Sequence, residues 1–145
     1  MEKQRASRDN YGHFTTITTR WSDNDAYGHL NNVVYYSLFD TAVNEALIRA
    51  GLLDIEQSGS IGLVVETGCR YFKALAFPDI IDAGIRVTAL GRTSVRYEIA
   101  LFNQGANEAA AEGHFVHVYV DRQNRRPVEL PPETRSFLEG LSGPA

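Results

Sequence analysis

Apolar positions between Val33 and Ala50 recur at helical spacing. Placed at about 100° per residue, Tyr35, Tyr36, Leu38, Phe39, Ala42, Val43, Ala46, Leu47 and Ala50 fill one half of the circumference. Ser37, Asp40, Thr41, Asn44, Glu45 and Arg49 take the other half, and Ile48 alone breaks the partition. Asn31 or Asn32 stands where a helix cap belongs, because a short side-chain oxygen can accept the free N–H groups of the first turn. Gly51 stands at the natural stop. So wide an apolar stripe predicts a helix lying deep against a sheet.

The period changes on either side of this helix. Phe14 to Trp21 is rich in Thr and β-prone and predicts a strand; Ile61 to Leu75, Ile80 to Leu90, Ser94 to Asn103 and Ala109 to Asp121 predict four more. Alternation shows in Ile85, Val87 and Ala89, in Val95, Tyr97, Ile99 and Leu101, and in His114, Val116, Val118 and Val120. Turn formers at Pro78-Asp79, Gly91-Arg92-Thr93, Gln104 to Asn107 and Arg122 to Arg126 divide the strands. These links are too short for crossover helices, so consecutive strands are expected to pair antiparallel. A short helix is expected over Pro132 to Leu141. The fold class is therefore α+β, a long helix and a five-stranded antiparallel sheet in one domain over 1–145, with 1–10 and 141–145 expected to fray. One helix leaves part of such a sheet uncovered, which implies a homo-oligomer.

Composition narrows the partners. The chain of 145 residues has 43% hydrophobic and 22% charged residues, the balance of an ordinary globular domain. A net charge of −4 and no Lys/Arg-rich run beyond Arg122, Arg125 and Arg126 argue against nucleic acid, which demands a basic face. No apolar run approaches membrane-spanning length and no signal-like segment precedes Asn10, so the expected location is the cytoplasm. The single Cys69 excludes an intrachain disulfide, fits a reducing compartment and reads as a buried small hydrophobe.

Chemistry concentrates between the first strand and the helix. Arg20-Trp-Ser-Asp-Asn-Asp-Ala-Tyr-Gly-His-Leu-Asn-Asn32 packs Asp23, Asp25, His29, Asn31 and Asn32 into a single loop. A carboxylate beside a helix start, with free N–H groups able to receive the negative charge of a developing oxyanion, is a minimal kit for opening a thioester. The same residues also make ordinary Asx turns and a cap. A calcium loop is excluded, since Tyr27 and Val34 occupy positions that need oxygen ligands. A transition metal at His29, Asp23 and Asp25 lacks a second histidine at ligand spacing, so no metal is expected.

Asp23-x-Asp25-x-x-Gly28-His29-x-Asn31-Asn32-x-x-Tyr35 resembles the signature of the 4-hydroxybenzoyl-CoA thioesterase family, and the strand-helix-four-strand order extends the resemblance over nearly the whole chain. It implies a hotdog fold and hydrolysis of a fatty-acyl- or aromatic-acyl-CoA to free acid and CoA, with no cofactor and a dimeric or tetrameric assembly. Asp25 then matches the nucleophile or general base, and the Asn32 backbone N–H the donor to the thioester oxygen. Gly28 would permit close backbone approach, His29 and Asn31 would shape the loop or bond near the carbonyl, and Tyr35 would line the acyl pocket. Arg92, with Thr93 and Ser94, would meet the pantetheine arm or phosphates. Two other readings stand beside this one: a hotdog hydratase or dehydratase using Asp25 and His29, and a non-catalytic acyl-CoA-binding module.

Overall fold

The computed structural model describes residues 5–142. Five strands, β1 (His13–Thr18), β2 (Ser60–Tyr71), β3 (Ile80–Leu90), β4 (Ser94–Asn103) and β5 (Ala111–Asp121), form one antiparallel sheet around helix α1 (Asn32–Arg49). A second helix, α2 (Pro132–Gly140), seals the core with its fully buried Leu138. This is the expected α+β arrangement, a hotdog fold.

Strand order departs from simple succession. It runs β1-β3-β4-β5-β2, so β2 pairs with β5 and lies at the edge opposite β1. The expectation that consecutive strands pair is therefore corrected for β2 and β3. Residues 72–79 do not turn a hairpin. They carry the chain across the start of α1, because Leu30 N–H donates to Leu75 O at 2.8 Å and Leu75 N–H donates to the Tyr35 hydroxyl at 3.3 Å. Those bonds satisfy backbone groups that a hairpin would otherwise have paired.

The apolar stripe of α1 is buried as its spacing predicts: Tyr35, Leu38, Phe39, Ala42, Val43, Ala46 and Leu47 lie inside, while Ile48 stays exposed. Ala50 is exposed as well, since it serves as the cap beyond the last turn. Val95, Tyr97, Ile99 and Leu101 face this helix from β4. In β3 the series ends at Val87, because the pairing register shifts between Val87 and Ala89 and turns Ala89 out. Burying each large aliphatic or aromatic side chain contributes on the order of 1.5–3 kcal/mol, and the stripe shares one core with the inward residues of β3, β4 and β5.

Close approach of helix to sheet depends on Gly113. A Cβ there would run into the Phe39 ring and stand 2.6 Å from Gly68 O, with backbone on one side and a fully buried ring on the other. Gly113→Ala is expected to cost about 1–3 kcal/mol through overpacking, read as a lower urea midpoint at unchanged slope.

Residues 5–10 are tied down, contrary to their expected fraying. The outward side of β4 carries Ala100 and Phe102, which need cover; Tyr11, Ala109 and the partly buried Ala6 supply it. Arg8 bonds Asp82 at 3.0 Å, and Ala6 N–H donates to Glu112 at 2.8 Å. The expected fraying of residues 1–4 and 143–145 lies outside the described residues.

Candidate active site

The loop joining β1 to α1 is built on two carboxylates with different tasks. Asp23 is 4% exposed and is consumed by structure: it accepts from Arg20 N at 2.8 Å and from the Arg20 guanidinium at 2.9 Å, while its own carbonyl accepts Asn31 N–H at 2.9 Å. Asp25 is half-buried and accepts from Tyr27 N–H at 2.8 Å and His29 N–H at 3.4 Å, both through Oδ1. Among the described residues Oδ2 accepts no hydrogen bond, which leaves it available for chemistry. The Asp25 backbone N–H donates to His29 O at 2.8 Å, closing a tight reversal.

That reversal needs Gly28, whose φ of 82° lies in the left-handed region. Nothing within the chain stands within 4 Å of a Cβ placed there, so it is the backbone conformation that requires the glycine.

Asn31 is the cap of α1, with Oδ1 accepting Val33 N–H at 3.0 Å and its carbonyl accepting Val34 N–H at 2.9 Å. Among the described residues the N–H of Asn32, the first helical residue, is claimed by no such bond. It is one of the donors a helix start leaves over.

Asp25, His29, Asn32 and Tyr35 share a cleft of about 410 Å³ with Tyr71 and Lys73. The end of β2 delivers Tyr71 and the crossing segment after it Lys73. Tyr71 donates to Asn32 O at 3.1 Å and packs edge-to-face on Tyr35 with centroids 4.8 Å apart, so this one side chain ties down the first turn of α1. Burial raises the Tyr35 phenol above its ordinary value, partly offset by the bond from Leu75 N–H. It therefore remains a protonated wall at physiological pH. Asn24 adds another tie, accepting Phe77 N–H at 2.9 Å.

Sequence reading left Tyr71 and Lys73 without a role and passed over Asn24. Their placement depends on the β2–β3 crossing, for which the local pattern carries no signal. Glu66 on β2 faces away from the cleft and bonds His114 Nε2 at 2.8 Å. His117, three residues on, points inward and is 2% exposed, so the two histidines lie on opposite faces as their spacing predicts. Cys69 packs against the core, and burial pushes its thiol up to about 11, far from a reactive thiolate.

Arg92, Thr93 and Ser94 do not join this cleft within one chain. β3 leaves the cleft end of the sheet at Ile80, beside the last residue of β1, and its 11 residues carry the chain roughly 30 Å along the strand before Arg92. There Arg92 pairs with Glu129 at 2.8 Å and Thr93 O accepts Tyr119 N–H. Among the described residues no group of three or more His, Cys, Asp and Glu is placed to hold a metal, and no helix is long and apolar enough to cross a membrane.

A carboxylate held at the open start of a helix that a single sheet wraps is the arrangement of a hotdog thioester hydrolase. The chain belongs to the thioesterase-like superfamily, whose sequence model matches residues 19–138, a span holding the whole loop, all of α1 and most of α2. Solved structures agree. The PA5185 protein of Pseudomonas aeruginosa strain PAO1 is 54% identical, with 98% of this chain and 99% of that one covered and a TM-score of 0.96. A thioesterase from Thermus thermophilus, complexed with coenzyme A and Zn, is 27% identical over 94% of this chain and 99% of that one, with a TM-score of 0.75. The DHNA-CoA thioesterase of Staphylococcus aureus shares the fold at 22% identity, with 89% and 87% covered and a TM-score of 0.76.

Proposed function

We propose that the protein hydrolyses acyl-CoA thioesters, of a fatty or aromatic acid, to the free acid and CoA, in the manner of the 4-hydroxybenzoyl-CoA branch. The carrying observation is the shared cleft of Asp25 and Asn32, a carboxylate and an unclaimed helix-start N–H on one cavity. A thioester carbonyl set between them meets an attacking group and a donor for its oxygen. In one route Asp25 attacks the carbonyl carbon, the C–S bond breaks and the CoA thiolate leaves to take a proton; water then opens the mixed anhydride and restores the carboxylate. In the other, Asp25 takes a proton from water as the water attacks, the tetrahedral oxyanion rests on the Asn32 N–H, and its collapse breaks the C–S bond and expels the CoA thiolate, which takes the proton from Asp25. Gly28, His29 and Asn31 hold the loop, and Tyr35 with Tyr71 walls the acyl side. Lys73 is the cleft's cationic side chain among the described residues and suits a phosphate or the pantetheine arm.

We also propose a homo-oligomer, which the edge position of β2 supports. Val64 and Val65 on it are 43% and 60% exposed, and its outer backbone groups face no further strand among the described residues. A second copy would also bring another Arg92 turn to bear. The cytoplasm is the proposed location and no redox or metal cofactor is invoked.

Free thiol should appear when short, long and aromatic acyl-CoAs are supplied, with one chain class preferred. A hydratase acting through Asp25 and His29 would change enoyl absorbance without releasing thiol. Enoyl turnover with no thiol from any acyl-CoA would overturn the hydrolytic reading.

A further inference from the structure

The far end of α1 holds a second cavity, about 370 Å³, which the proposed chemistry does not use. Along α1 the Asp25 cleft reaches to Tyr35 and this cavity begins at Asn44, about 14 Å of helix further on. Leu47, Leu52, Leu53 and Ile55 line it, with Gly62 and His117 deeper in and Arg122 and Arg125 also on its wall.

His117 is the anomaly. Its ring is wedged between Tyr97 and Phe115, with centroids 5.5 and 5.1 Å away, and its Nδ1 is buried without a hydrogen-bond partner. An orphaned polar atom in the interior costs on the order of 1–3 kcal/mol, so a core position would ordinarily be filled by an apolar side chain. Gly62 keeps the approach to this atom open: a Cβ there would stand 2.8 Å from Nδ1. Arg125, exposed and at a φ of 64° on the β5–α2 turn, makes no ion pair among the described residues, and Arg122 is held by Ser58 O at 3.3 Å.

We propose that this cavity is a second binding site, for a small amphipathic monocarboxylate. Its carboxylate rests at Arg122 and Arg125, its apolar body lies along Leu47, Leu52 and Ile55, and a neutral hydroxyl or carbonyl at its far end bonds His117 Nδ1. Each part of the ligand follows from one part of the wall. Guanidinium groups match a carboxylate, the leucines match a hydrocarbon, and an uncharged imidazole in a dry interior matches a neutral polar group better than a second charge. The site stands apart from the hydrolytic reading and its test does not read turnover.

Octanoate, omega-hydroxyoctanoate and octanol are the probes, titrated against the full chain while the His117 imidazole nitrogens are followed by NMR, with His117→Leu giving the assignment. Omega-hydroxyoctanoate should shift the Nδ1 resonance and bind roughly fivefold more tightly than octanoate, the worth of one recovered hydrogen bond. Octanol should bind more weakly than octanoate, and Arg125→Gln should narrow that gap. Gly62→Ala should abolish the Nδ1 response, whereas Asp25→Asn should leave it intact. An Nδ1 signal unmoved by every probe would overturn the proposal. So would equal affinity for octanoate and its hydroxy analogue, or a response lost in Asp25→Asn and kept in Gly62→Ala, which would seat the probe in the other cleft. Should Gly62→Ala fail to fold, the Arg125→Gln arm, on an exposed turn, still decides.

Discussion

Asp25→Asn should lose at least ~100-fold in turnover on any acyl-CoA the wild type accepts, with little change in melting temperature. The amide keeps the carbonyl oxygen that accepts Tyr27 N–H at 2.8 Å, so the loop retains its shape. What it loses is the ability to attack a carbonyl or take a proton from water. The Asn32 N–H still polarises the thioester and the cleft still binds it, so the loss falls on kcat and leaves KM nearly unchanged. A folded variant with wild-type turnover would remove Asp25 from the chemistry and leave the loop as a capping device.

Acid should destabilise the protein through His117, with the loss confined to the interval between about pH 6.5 and pH 4. Burial lowers the imidazole from its ordinary 6.5 to about 4 in the folded chain. Above 6.5 the group is neutral folded or unfolded and contributes no slope. Below 6.5 the unfolded chain takes up a proton that the folded chain refuses, so folding stability drops as pH falls, and the drop levels off once the folded imidazole also protonates near 4. The interval corresponds to roughly 3 kcal/mol. Urea titrations at pH 7, 5.5 and 4 on wild type and His117→Phe would measure it. The variant should lack this part of the pH slope even though its stability at pH 7 shifts for packing reasons, and parallel curves would show that the imidazole is not held neutral. Tyr97, Tyr119, Arg122 and Arg125 face the same region, and both arginines add to the disfavour of a second cation there.

Local rules served well where a local cause operates. The α1 stripe, its Asn31 cap and the Gly51 stop are each set by residues within a few positions of one another. The structure returns them almost unchanged, with Gly51 at a φ of 75°. The same holds for β3 and β4, whose ends at Ile80, Leu90, Ser94 and Asn103 coincide with the turn formers. Asp25, His29 and Asn32 were legible because the loop and the helix start that hold them are contiguous. Tyr71 and Lys73 were not, because they reach the cleft only through a crossing that pairs Leu30 with Leu75 over a long sequence separation.

Taken alone, the order of residues determined which segments coil and which extend, and which carboxylate stands beside a helix start, whereas β1 and β2 stop at Thr18 and Tyr71, short of the Trp21 and Leu75 that the pattern predicts. Periodicity, caps and turn residues act over a single turn or strand, and no distant partner is needed to read them. Tertiary structure decided the rest: that β2 leaves its neighbour for the edge beside β5, that Ala6 and Tyr11 cover Phe102, that Glu66 turns away from the cleft, and that His117 is buried without a partner. Each of these depends on which surfaces remain to be covered once the helix is wrapped, and that balance exists only when the whole chain has closed.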